Sequence, residues 1–145
     1  MKNVKEVFVL SLLLFFSACS NLNDFDNIIE REFDKCSKQS SNCLLDLSNI
    51  MNFEWDTMYY FSRANSLEEI NEYISFNYEQ FVDIGDRVIF LKNKKVVYHQ
   101  DWFPNLSDEP VGVIFDTDLK VFKVDKSNAK FKAEKKGNLL YLKKL

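Results

Sequence analysis

Apolar and polar residues follow different periods along this chain, and each period marks a different kind of segment. Val7 to Phe16 is apolar throughout except for Ser11. Ten residues are half of the ~20 that span a membrane, and they match the apolar stretch of a secretion leader. Leu22, Phe25, Ile28, Ile29 and Phe33 then recur at helical spacing, which predicts an amphipathic helix over 24–35. Asn23 or Asp24 can cap its start, and the acids of its first turns suit the positive end of the helix dipole.

Residues 43–51 fit two patterns. Leu45 and Leu47 alternate as in a strand, whereas Leu44, Leu47, Ile50 and Met51 fit a helical stripe; a strand is the preferred reading. Phe53 to Phe61 alternates clearly. Phe53, Trp55, Thr57, Tyr59 and Phe61 would share one face of a strand, and Glu54, Asp56, Met58 and Tyr60 the other. Ser66-Leu67-Glu68-Glu69 has the form of a capping box, with Leu67, Ile70, Tyr73 and Ile74 continuing a helical stripe to Ser75.

Three strand pairs are expected after that. Arg87–Leu91 and Val96–His99 flank a turn with Asn93 at its tip. Val111–Phe115 and Leu119–Val124 flank Asp116-Thr117-Asp118. Lys130–Glu134 and Leu139–Leu142 flank a turn in which Gly137 can take positive φ. The expected fold is α+β: the N-terminal helix and one further short helix, packed on an antiparallel meander of about five to seven strands. Residues 101–110, with Trp102, Phe103 and two prolines, form the one long irregular loop. That makes Trp102 and Phe103 the expected partner contacts.

The end of the apolar leader carries a resemblance. Phe16, Ser17, Ala18 and Cys19 resemble the lipobox of bacterial lipoproteins, with Phe16 where Leu is usual. The resemblance implies that residues 1–18 are removed, that Cys19 carries diacylglycerol and an acylated amino group, and that 19–23 is a short tether. Two or three acyl chains hold a protein on a membrane stably, since each buried CH₂ contributes ~0.8 kcal/mol. Ser20, rather than Asp, follows the cysteine, which implies the outer membrane of a Gram-negative host, periplasmic side; in a Gram-positive host the anchor would be in the cytoplasmic membrane.

Residues 24–145 then read as one domain. Three cysteines are odd in number for an exported chain. With Cys19 consumed by lipid, Cys36 and Cys43 remain as an even pair around a polar loop, in an oxidising compartment. A disulfide is the expected state, with free or metal-binding thiols as the alternative. Two further segments, Phe53-Glu54-Trp55-Asp56-Thr57-Met58-Tyr59-Tyr60-Phe61 and Val88-Ile89-Phe90-Leu91-Lys92-Asn93-Lys94-Lys95-Val96-Val97, resemble a group of small uncharacterised bacterial lipoproteins. Those carry a Trp-Asp-x-x-Tyr strand and a Phe-x-Lys-x-x-Lys-Val-Val hairpin, and no activity comes with the resemblance.

Charge divides unevenly. Residues 19–86 hold four basic and fourteen acidic side chains; 87–145 hold thirteen basic and seven acidic. If folding preserves this, the C-terminal hairpins present a basic face that could meet an anionic partner or envelope surface. The alternative is that the lysines only keep strand edges from pairing with other chains.

Catalytic chemistry finds little to work with. His99 is the only histidine, and no serine stands in a nucleophile elbow. Asp116-Thr117-Asp118 lacks the later Gly and Glu of a calcium loop. Asp56 beside Trp55 reads as a structural acceptor or a surface acid. No phosphate loop, zinc spacing, metal or cofactor site is expected, and compartment and net acidity disfavour nucleic acid. The expectation is a non-catalytic protein-binding module on a lipid anchor, possible forms being an immunity or exclusion lipoprotein. A structural component of the envelope and an enzyme of unrecognised type are the alternatives.

Overall fold

The computed structural model describes residues 24–83, 85–102 and 111–145, with Trp102 described by its backbone. Cys19, the leader and Phe103 lie outside the described residues. The elements in order are α1 (Phe25–Ser37), β1 (Cys43–Asp46), a single turn α2 (Leu47–Ile50), β2 (Thr57–Phe61), α3 (Leu67–Ile74), β3 (Asp86–Lys92), β4 (Lys95–Trp102), β5 (Gly112–Phe115), β6 (Val121–Asp125), a 3₁₀ turn (Lys126–Asn128), β7 (Lys130–Lys136) and β8 (Leu139–Lys144). None of these helices is long and apolar enough to cross a membrane.

Helices combine with largely antiparallel sheets, as expected, but the strands do not form one meander. They form two four-stranded sheets, ordered β1-β7-β8-β5 and β4-β3-β2-β6. The segments around Asp116-Thr117-Asp118 are the reason. β5 pairs parallel with β8, whereas β6 pairs with β2. Val113 and Phe115 enter the core from one sheet, Phe122 and Val124 from the other. The connection therefore crosses between sheets instead of folding back, and no hairpin forms. The other two expected hairpins are present. β3 and β4 turn through Asn93 and Lys94, both at positive φ, and β7 and β8 turn at Gly137 with φ +61°, the left-handed geometry that matches strand twist in tight hairpins.

The main core lies between the sheets. Leu45, Met58, Phe90, Phe115, Phe122, Phe131 and Leu142 meet there, with Phe25, Ile28 and Ile29 of α1. The i, i+3, i+4 spacing of those last three is what buries one stripe of α1. The helix lies against both edge strands of the first sheet. Its N-terminus reaches the second sheet too: the Phe25 N–H donates to the Tyr98 hydroxyl at 2.8 Å and to Gln100 Oε1 at 2.7 Å. Asp24 holds the N-cap position without a capping bond from its side chain, and β4 satisfies the first donor of the helix, the Phe25 N–H. At the other end, Cys36 and Cys43 are joined at S–S 2.13 Å, tying α1 to β1. Gly112, at φ +122°, is required where α1 passes: a Cβ there would sit 3.1 Å from Asp26 Oδ2.

A second, smaller core covers the far side of the second sheet. Phe61, Ile89 and Leu91 pack there against Ile70, Ile74 and Tyr78. The capping box forms as read: the Glu69 N–H donates to Ser66 Oγ at 3.2 Å, and the Ser66 N–H to Glu69 Oε2 at 2.8 Å.

Three local expectations are corrected. Residues 43–51 are neither one strand nor one helix; Asp46 caps α2 through the Ser48 N–H at 3.0 Å and splits the segment. The strand expected from Phe53 starts only at Thr57, and Trp55 lies in the inter-sheet core with Met58 and Tyr60, not with Tyr59 and Phe61. Both faces of β2 are covered, so strict alternation no longer reports which side is inside. Finally, Asp101 and Trp102 belong to β4, paired with Arg87 and Asp86, instead of opening an irregular loop.

Candidate functional site

Each sheet has one face in the main core. The other face of the second sheet is covered by α3 and the residues after it, whereas no described element covers the outer face of the first sheet. Period-two alternation decides what stands on it. Reading across the strands, one row holds Leu44, Lys132 and Lys143; the next on one side holds Asp46 and Lys130. On the other side come Glu134, Tyr141 and Ile114, then Lys136, Leu139 and Gly112. Leu44 is 53% exposed, Ile114 37%, and Leu145, which continues β8 beside Lys130, 64%.

The charges on this face are incompletely paired. Lys136 lies 3.7 Å from Glu134 and 5.1 Å above the Tyr141 ring. Lys130, Lys132 and Lys143 pair with no carboxylate among the described residues. Lys132 and Lys143 stand directly opposite one another across the β7–β8 pair. Like charges in that position destabilise a sheet, so fold stability alone does not call for them. An open groove of about 420 Å³ continues past the β1 edge, lined by Phe33, Ser37, Cys43, Lys132 and Lys135 among others. The disulfide pair thus helps shape the groove's wall, and Lys132 borders both surfaces.

Asp46 and Glu134 are the acids of this face, and other acids stand on the helices. Glu68, Glu69 and Glu72 sit on α3, and Asp26, Glu30, Glu32 and Asp34 on α1. Part of the charge asymmetry of the sequence therefore survives folding, as acidic helices and a lysine-rich outer face on the first sheet.

His99 is placed in a different setting. Its Nδ1 is 3.9 Å from Asp101 Oδ2, and its ring meets Tyr78 edge-on at 5.9 Å. Asp101 Oδ1 lies 3.2 Å from Arg87 Nε, Arg87 being buried and Asp101 partly so. Burial pushes the Asp101 carboxyl above its usual range, against the opposing pull of Arg87 and His99. Burial also pushes the Tyr78 hydroxyl up. The Arg87 guanidinium donates to the carbonyls of Val82 and Gly85 and lies 4.5 Å above the Phe81 ring. These contacts tie the 81–85 segment to β3 and β4. Among the described residues no group of three His, Cys, Asp or Glu side chains could hold a metal.

Asp56 has the structural role read for it, with more partners than the sequence revealed. It accepts from the Asn93 N–H at 2.7 Å and from Lys92 Nζ at 2.9 Å. The Trp-Asp segment and the Lys-Asn turn, which carry the resemblance to small lipoproteins, thus meet in one clamp. Of the expected contact residues, Trp102 ends β4, while its side chain and Phe103 fall outside the described residues. The basic sheet face was foreseen only as a possible fate of the charge asymmetry. Its signal was the lysine spacing Lys130, Lys132, Lys136 on β7, all on one face of a strand.

Comparison with protein-family models, with curated proteins and with solved structures finds no match. The functional reading rests on the residues of this chain.

Proposed function

We propose that this chain is a lipoprotein, anchored through Cys19 to the periplasmic side of an outer membrane, whose single domain is a non-catalytic protein-binding module. The observation that carries the binding reading is the uncovered outer face of the first sheet, where exposed Leu44 and Ile114 stand among lysines that lack partners. Exposed apolar side chains beside unpaired charges give such a face something for a complementary protein surface to match. The lipobox-like Phe16-Ser17-Ala18-Cys19 supports the anchor, and the Cys36–Cys43 pair suits an oxidising compartment. Arg87 holds the carbonyls of Val82 and Gly85 and pairs with Asp101, which supports a structural role for it.

The test is an affinity capture from envelope extract with the domain 20–145, read by mass spectrometry, beside fractionation of Cys19→Ser. One stoichiometric partner and a shift of Cys19→Ser out of the membrane fraction are expected. A broad set of abundant envelope proteins would instead favour a structural component of the outer membrane. A blank at every salt concentration would count against a resident partner, and Cys19→Ser remaining in the membrane would remove the anchor.

A further inference from the structure

The arrangement of charge on the outer face of the first sheet says what kind of surface fits it. Three lysines without carboxylate partners, Lys130, Lys132 and Lys143, lie on adjacent strands β7 and β8. Exposed apolar side chains border them on three sides: Leu44 on β1, Ile114 on β5 and Leu145 past the end of β8. Tyr141 and Leu139 continue the apolar strip across β8, half-buried.

Two occupants would welcome such lysines, an anionic lipid surface and an acidic protein. The carboxylates decide between them. Asp46 is opposite Lys130, and Glu134 stands between Lys132 and Lys136 along β7. A bilayer surface offers a smeared negative potential, against which interleaved acids are a penalty. A protein surface can answer a pattern of both signs, and such patterning sets register and excludes wrong partners. No acid of α1 or α3 pairs with Lys130, Lys132 or Lys143 among the described residues.

We infer that the outer face of β1-β7-β8-β5 is the docking surface for a protein whose contact patch is acidic at its centre and apolar around it, carboxylates meeting Lys130, Lys132 and Lys143 and apolar side chains meeting Leu44, Ile114 and Tyr141. This rests on the binding-module reading and specifies the chemistry of its partner. The lysines stand opposite one another at a cost to the sheet because the bound partner supplies the missing negative charge.

The experiment places a photo-crosslinker, p-benzoylphenylalanine, at Leu44 or at Ile114 of the full chain, and for comparison at Glu72 on α3, in intact host envelopes. Adducts are mapped by mass spectrometry in the native background and in Lys132→Glu/Lys143→Glu. That double reversal keeps a like-charge pair, so thermal unfolding is expected to stay at the native midpoint. The expected result is one protein crosslinked from Leu44 and Ile114, at a site flanked by Asp or Glu. Its adduct falls about tenfold or more in the reversed variant at low salt and recovers when those partner acids are changed to Lys. An adduct that persists undiminished in the reversed variant, or one to lipid or to a second copy of this chain, overturns the inference. A single partner crosslinked only from Glu72 also overturns it while leaving the binding-module reading standing. No adduct from any position removes both.

Discussion

Asp56 shows how one side chain organises sequence-distant backbone. Its carboxylate accepts from the Asn93 N–H and from Lys92, and its own N–H donates to the Leu91 carbonyl at 2.7 Å. The Asn93 bond first, then Lys92, holds its carboxyl below the ordinary aspartate value of 3.8. A carboxyl whose folded value is depressed adds stability above its unfolded value and loses it as pH falls through the folded one. Asp56→Asn keeps an acceptor for Asn93 and removes the charge. The variant is therefore expected to be less stable than the native chain at neutral pH, with the difference closing as pH falls below 3.8. Thermal unfolding from neutrality to pH 2 checks this. A difference that holds constant across the range would mean that charge at Asp56 is not what clamps the turn.

At the scale of elements, the joints between helices and sheets carry the argument. The Cys36–Cys43 bond links the last turn of α1 to the first residue of β1. Closing so short a loop restricts the unfolded chain by about 2.5 kcal/mol in the chain-entropy account. Cys36→Ser/Cys43→Ser should lower the unfolding free energy by about that amount in urea titration, with α1 the first segment to lose amide protection. The β7–β8 pair tests the opposite sign. Lys143→Glu turns a like-charge cross-strand pair with Lys132 into an attractive one. It should stabilise the fold by roughly 0.2–1 kcal/mol while weakening capture of the partner. A variant that gained stability and kept its partner would show that these lysines serve only the surface.

For the whole molecule, β2 is the keel. Met58 and Tyr60 enter the inter-sheet core, while Tyr59 and Phe61 belong to the helix-side core. Two apolar clusters on opposite faces of one strand cannot come apart without exposing each other's backbone pairing. Phe61→Ala should cost about 3–5 kcal/mol. It should lower the midpoints of circular dichroism and tryptophan fluorescence together, although buried Trp55 lies on the other side of the sheet. Separate midpoints would mean that the α3 layer folds as an independent unit. Charge is partly organised at this scale, with acids concentrated on α1 and α3 and four lysines, Lys130, Lys132, Lys136 and Lys143, on the outer face of the first sheet.

Much of this was legible in local pattern, because local pattern is all that some elements need. The stripe of α1, the capping box of α3, the Asn93 and Gly137 turns and the pairing of Cys36 with Cys43 each depend on residues within a few positions of one another. Tertiary structure alone decided the rest. Whether Val113 and Phe122 share a hairpin or face each other from two sheets depends on β8 and β2, which are distant in sequence. Trp55 turns inward because the chain bends at Asp56 to meet the β3–β4 turn. The lysines of β7 and β8 become a candidate site only because β1 and β5 flank them and no described element covers them. Alternation tells which residues share a face; what lies against that face is set by where the whole chain places its layers.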